Sequence, residues 1–322
     1  MTFRKDVLNI DPAAVTEQLV ANLRRDVRQT LHRSGAVVGI SGGVDSSVVL
    51  ALCVRAFGPQ RVVGVMMPEK DSSADSLVLA RKLANHFGIE TVVEDMTGAL
   101  VGYGCYTRRD EAIRRVFPEY DPSYKAKITL PGDVLDSDAL NVFYLTIISP
   151  EGEQKSQRLN LRDYLQIVAA SNFKQRSRMT MLYFHAEARN YAVIGTPNKN
   201  EHDQGFFVKW GDGGYDIAPV RHLFKTQIYQ LAAHLDVPQD IRQAIPTTDT
   251  YSAHSSQEEF FFRLPFEVMD LLWYALEHHV SAAEAAQVMG LTEEQVQRAW
   301  ADISRKQRTT QYLRTLPIEY GL

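Results

Sequence analysis

Cysteine is scarce in this chain. Only Cys53 and Cys105 occur among its 322 residues, and they form no CxxC pair. A disulfide framework or a cysteine-rich zinc site is therefore not expected. Cys53 falls in an apolar helical run, where a cysteine acts as a small core residue, and Cys105 in "GYGCYTRR" carries no motif. No apolar run reaches about 18 residues, and no basic leader precedes an apolar stretch. These absences predict a soluble, cytoplasmic protein without membrane contact. Positive charge is not in excess either: 35 Lys and Arg stand against 39 Asp and Glu, a net charge of −4. A general nucleic-acid binder would carry a basic stripe, so nucleic acid is not the expected partner. Two common phosphate-binding patterns, GxxxxGK[ST] and GxGxxG, are missing as well.

What is present is an alternation of short buried strands and helices. Val15, Leu19, Leu23, Val27 and Leu31 share one face of a helix predicted over 13–33. "AVVGI" (36–40), "RVVGVMM" (61–67) and "TVVEDM" (91–96) read as strands, separated by helices at 46–58 and 75–88. A fourth strand is expected at 191–196, a fifth at 215–220, and helices at 161–190 and 225–237. This pattern predicts a doubly wound α/β fold, a mostly parallel sheet with helices on both faces. Residues 97–160 read as an insertion holding a Gly- and Tyr-rich turn, a charged segment and a β-hairpin around "SPEGE". The expected division is an α/β domain over 1–264 and a helical extension over 265–322. Part of that tail, "SAAEAAQVMGLTEEQVQRAW", has a helix–turn–helix look with Gly290 at the turn, although short helix pairs more often simply pack.

The most informative stretch is "VVGISGGVDSSVVL". It runs from a buried strand straight into a helix. In open α/β sheets, ligands sit at the carboxyl ends of strands, and a helix start offers unpaired N–H groups and a positive dipole end. Gly42 and Gly43 let the backbone approach an anion, while Ser41, Ser46 and Ser47 add hydroxyls. Such a cradle holds phosphate without a lysine. Asp45 would repel the phosphate unless a cation lies between them, and magnesium, which favours few carboxylates together with phosphate oxygens, suits that position.

"SGGVDSS" resembles the SGGxDS loop of the N-type ATP pyrophosphatases. Further along, "NFKQRSRM" (172–179), "GTPNKNE" (195–201), "GFFVKWGDGGYDIAPV" (205–220), "LFKTQIYQLAAHLDVP" (223–238) and "PTTDT" (246–250) resemble, in order, blocks of the ammonia-dependent NAD synthetases. The resemblance implies adenylation of the nicotinate carboxylate of deamido-NAD by ATP, then displacement of AMP by ammonia. It implies ATP contacts at Ser41, Gly42, Gly43, Val44, Asp45, Ser46, Ser47, Thr196, Lys225 and Thr247. It implies deamido-NAD contacts at Arg176, Lys209 and Asp216, and magnesium ligands at Asp45 and Glu201. Asp45 and Lys225 would serve catalysis, Lys225 by meeting charge that builds on the α-phosphate. Asp212 in the "GDGG" turn either handles the ammonium proton or caps the turn. A homodimer is implied too. Free ammonia is the expected donor because the chain has no room for a glutaminase domain; a separate glutaminase subunit is compatible with it.

The chain departs from the family in places. Where members often end in H-K-R-x-x-P, this one reads "YLRTLP", and the loop after "PTTDT" is atypical. Two other readings stay open: a related amide ligase acting on a different carboxylate, and a nucleotide-sensing module without catalysis.

Overall fold

The computed structural model describes residues 2–130, 132, 134–136, 143–247, 251–253 and 256–320. The first helix, α1, spans Pro12–Arg25. Asp11 starts it by accepting from Ala13 N and Ala14 N, and Pro12 sits at the first helical position, where its missing N–H costs nothing. The helix expected to run on to 33 instead widens into one π-type turn over Asp26–Thr30 and stops. β1 (Ala36–Gly39), α2 (Val44–Phe57), β2 (Val62–Met66), α3 (Ala74–Phe87) and β3 (Glu90–Val93) follow as the alternation predicts.

The middle differs from expectation. α4 (Thr97–Gly102) and α5 (Cys105–Val116) occupy the stretch read as turn and charged segment. The buried face of α5 includes Arg109 and Asp110 beside Ala112 and Ile113, so an apolar stripe could not reveal it. β4 (Lys125–Thr129), β5 (Tyr144–Ile148) and β6 (Gln154–Arg158) form an antiparallel sheet in the order β4-β5-β6. The expected hairpin is β5–β6; β4 is an addition, and residues 137–142 before the hairpin lie outside the described residues.

α6 (Leu161–Arg189) leads into β7 (Ala192–Ile194), then α7 (Lys199–Gln204), α8 (Lys225–His234) and α9 (Gln239–Gln243). The tail holds α10 (Phe266–Glu277), α11 (Ala282–Met289), α12 (Glu293–Thr309) and α13 (Gln311–Arg314). The fifth strand reduces to a single parallel bridge between Ile194 and Ile217. The Asp216 carboxylate accepts from Val193 N at 2.8 Å, taking a donor the ladder would have used, and Pro219 has no N–H to offer.

The main sheet is parallel, in the order β3-β2-β1-β7. β1 and β2 are almost wholly buried, while β3, at the edge, is half solvated. α1, α2, α3 and α8 cover one face through a core that includes Val38, Val49, Leu52, Leu83 and Ile228. α6 covers the other through Ala186 and Leu182, against Val37, Val65 and Val193. The sheet is thus wound from β1 outward in both directions, and the order reverses between β1 and β7. Crevices for ligands open at such a switch point.

A second core joins the tail to the rest. Leu272, Trp273, Val296 and Ile303 pack with Phe3, Leu8 and Phe224. Each such side chain contributes roughly 1.5–3 kcal/mol relative to being exposed. The apolar faces of α11 and α12 are used in this packing. Among the described residues no helix is long and apolar enough to cross a membrane.

Candidate functional site

The loop after β1 leaves the sheet at the switch point and caps α2 with Gly43. Gly42 has φ +80°, and a Cβ there would lie 2.7 Å from the carbonyl oxygen of Ser76 and 2.9 Å from Leu79 Cβ. Only glycine fits that backbone against α3. Ser46 and Ser47 hydroxyls both donate to Gly43 O, at 3.0 and 2.8 Å, which fixes the first turn. Ser41 Oγ accepts from Gly43 N at 3.3 Å. The result is a rigid, glycine-lined helix start of the kind that receives an anion.

Asp45, in that first turn, is half-buried and forms an ion pair with Lys225, the first residue of α8. Its second oxygen accepts from Asn198 Nδ2 at 2.8 Å. Asn198 caps α7: its Oδ1 accepts from Glu201 N at 3.0 Å, and Glu201 Oε2 accepts from Asn198 N at 3.1 Å. This capping box joins the loop after β7 to the loop after β1 and brings two carboxylates together. The other Glu201 oxygen accepts from Gln257 Nε2 at 3.3 Å. Burial, with the negative charge of Asp45 beside it, pushes the Glu201 carboxyl up to about 8. Burial alone would lower Lys225, but Asp45 and Glu201 outweigh it and hold the lysine above its ordinary value.

A cavity of about 710 Å³ opens beside this cluster. Ser41, Ser46, Thr196, Glu201, Asp212 and Thr247 all line it. Asp212 accepts from Val208 N at 2.7 Å, which caps the turn. It is exposed on the cavity side, and the protein packed round it pushes its carboxyl up to about 6. Asp212 thus caps its turn and also faces the cavity. The donor set suits a divalent cation: two carboxylates share one lysine, and the one farther from that lysine's bond is short of positive charge. Magnesium takes few protein carboxylates and fills its shell with waters and phosphate oxygens. Among the described residues no group of three or more acidic, His or Cys ligands exists.

Other expected residues lie apart from the cavity wall. Arg176 is exposed and donates to Lys209 O at 3.3 Å. Lys209 donates to Thr315 O at 2.6 Å and Tyr312 O at 3.2 Å, and sits over the Tyr312 ring. Asp216 accepts from Tyr183 OH at 3.0 Å as well as from Val193. Of the other cations in the motif blocks, Arg178 lines the cavity, Lys199 pairs with Asp203 and Glu277, and Lys174 is buried against Glu69 and Asp71. In "PTTDT", residues 248–250 lie outside the described residues.

Sequence reasoning missed Asn198, although Asn followed three residues later by Glu is itself a helix-start signal. It missed Gln257, and it missed that the helical tail lines the cavity, with Arg305, Lys306 and Thr309 of α12 and Thr310 just after it. Nothing in the linear pattern announces that a tail helix returns to the first loop.

A family model described as NAD synthase matches residues 15–113 and 140–317. An NH(3)-dependent NAD(+) synthetase from Mesorhizobium japonicum is 50% identical over 312 residues, which cover 97% of this chain and 98% of that one. A relative of the same description from Thermotoga neapolitana is 36% identical over 261 residues, 81% of this chain and 83% of that one. Among solved structures, an NH3-dependent NAD synthetase from Campylobacter jejuni is similar with TM-score 0.62 and 21% identity, covering 97% of this chain and 100% of that one. An NMN synthetase from Francisella tularensis is similar with TM-score 0.63 and 20% identity, covering 98% and 100%. At these identities the structural likeness speaks for the fold.

Proposed function

The chain belongs to the NAD synthase family, and from that premise we propose how its residues divide the work. The activity is ammonia-dependent NAD synthesis. ATP adenylates the nicotinate carboxylate of deamido-NAD, pyrophosphate leaves, and ammonia displaces AMP. In our reading the 41–47 loop and the start of α2 hold the ATP phosphates, with Thr196 and Thr247 on the same cavity wall. Lys225, anchored on Asp45, faces the negative charge that builds during attack on the α-phosphate. Asp45 and Glu201 would hold magnesium, which when bound screens the ATP oxygens and draws charge toward the departing pyrophosphate. Asp212, with a carboxyl near 6, is matched to accept a proton from ammonium close to neutral pH. Arg176, Lys209 and Asp216 are read as the contacts for the dinucleotide.

The observation that carries this reading is the joining of Asp45, Asn198, Glu201 and Lys225 at the helix start beside the cavity. Free ammonia is the donor in this reading, and a homodimer in the cytoplasm is part of it; Leu161 and Leu165, one turn apart on α6, are apolar and exposed, as residues at a subunit contact would be in the free chain. The test is a product assay with ATP, magnesium, ammonium and a panel of carboxylates. Equal amounts of NAD, AMP and pyrophosphate are expected with deamido-NAD. AMP formed only with another acid would move the chain to a different amide ligase. Binding of ATP without turnover on any acid would make it a sensor.

A further inference from the structure

The lysine at the centre of this reading begins a helix that has no cap of its own. α8 is preceded by Phe224, whose side chain cannot accept a hydrogen bond from the orphan N–H groups of the first turn. Those donors are met from elsewhere. Lys225 N donates to Asn200 Oδ1 at 3.0 Å, and Thr226 N donates to Asp270 Oδ2 at 2.9 Å. Asn200 Nδ2 in turn donates to Asp270 Oδ1. Asp270 and Asn200 are both wholly buried. Asp270 comes from α10 in the tail, Asn200 from α7, and the pair closes on the backbone of Lys225. α10 is tied to α7 twice more, by Gln204 Nε2 on Met269 Sδ at 3.2 Å and by Lys199 on Glu277 at 2.9 Å.

We propose that Asp270 is a positioning residue for Lys225. Its carboxylate caps α8 in trans and complements the positive end of that helix. Through Asn200 it also locks α8 to α7, the element that carries Glu201 and is capped by Asn198. The lysine and the two carboxylates it serves are thereby held at one spacing by a residue of the helical tail. Asp270 touches no reacting group; it acts through the backbone of Lys225. The proposal rests on the reading of Lys225 given above.

The geometry supplies its own test. Asp270→Asn keeps the shape but sets one amide donor against the Asn200 amide. Combining it with Asn200→Asp restores every bond: the amide introduced at 270 donates to the carboxylate introduced at 200, whose other oxygen still accepts from Lys225 N. Pyrophosphate release at saturating substrates reads kcat, and an ATP titration reads KM. Asp270→Asn is expected to lower kcat about tenfold or more with the KM for ATP changed less than about threefold. The double exchange is expected to return kcat to within about threefold of the native protein. Placed on Lys225→Met, Asp270→Asn should add less than about twofold, because the residue it positions is gone.

The inference is overturned if Asp270→Asn keeps native kcat. It is overturned if the double exchange folds but is no faster than the single variant, or if Asp270→Asn costs the same factor with and without Lys225. Should the single variant fail to fold, the double exchange decides: restored turnover supports the role, and slow turnover or failure to fold overturns it. Should Lys225→Met itself keep native turnover, the reading of Lys225 falls first, which is a distinguishable result.

Discussion

Two buried charge clusters flank the cavity, and they are built from the same residue types to opposite ends. In one, Glu69 and Asp71 share Lys174, with Nζ distances of 2.9 and 2.8 Å, and Asp71 also meets Arg109. Tyr106 OH adds a bond to Glu69 at 2.7 Å. In the other, Asp45 pairs with Lys225, Glu201 feels the charge of the same lysine, and among the described residues no second cation pairs with either. The carboxyls report the difference. Burial would raise Asp71, but Lys174 and Arg109 together hold it below its ordinary value. Burial and Asp45 push Glu201 up to about 8. In the first cluster every carboxylate meets a cation directly, Asp110 on Arg109 at 2.9 Å included, and the cluster pins the loop between β2 and α3, whose Ser72 and Ser73 line the cavity. In the second, among the described residues, Glu201 has no direct ion pair, on the side where substrate and cation would arrive. A completed cluster serves the fold; an incomplete one is poised for a ligand.

The largest expected effect comes from breaking the complete cluster. Lys174→Met leaves two carboxylates buried without their shared cation, and stability should fall by about 3–5 kcal/mol. Chemical denaturation reads this directly. A loss under about 1 kcal/mol would mean that the cluster takes up water and that the contrast is false. Breaking the incomplete cluster should act on rate instead. Lys225→Met should lower the rate of pyrophosphate release on the order of 10²–10³-fold, the scale for removing one group that meets transition-state charge. Its denaturation midpoint should move less than that of Lys174→Met, because Asp45 keeps 14% side-chain exposure and its bond to Asn198, whereas the Glu69 side chain is fully buried. A variant that lost stability but kept turnover would invert the assignment.

The sequence disclosed these clusters unevenly. The glycine-serine loop could be placed because a buried strand running into a helix is a local pattern, and its glycines answer to one backbone and one neighbour. Asp45, Glu201 and Lys225 came from motif blocks, yet the pairing of Lys225 with Asp45, 180 positions apart, is a tertiary fact. Lys174 lies in the motif block "NFKQRSRM"; its burial against Glu69 and Asp71 depends on α5, a helix whose buried face carries Arg109 and Asp110 and so mimics a solvated segment. Asp270 sat in an apolar run with no sign that it caps a helix begun 45 residues earlier. Periodicity reports which face is apolar. It does not report which buried polar group will find a partner across the fold.

The effect that separates the clusters most cleanly is their dependence on pH. A carboxyl raised from 4.5 to about 8 on folding keeps its proton in the native state while the unfolded chain gives it up. Between those values the unfolded state binds fewer protons, so the Glu201 contribution to stability declines as pH rises and levels off above about 8. Asp71 has the opposite sign: its folded value lies below 3.8, so its contribution is present above that pH and is lost on acidification. Denaturation curves should therefore show a decline between about pH 6.5 and 8.5 in the native chain that Glu201→Gln removes, while the acid limb below pH 4 persists in that variant. Magnesium with ATP should release protons near pH 7 in the native chain and fewer in Glu201→Gln, read as a difference in binding heat between two buffers of unlike ionisation enthalpy. Equal release from both would mean that Glu201 is already ionised in the free protein, and the shortage of positive charge at the second cluster would disappear with it.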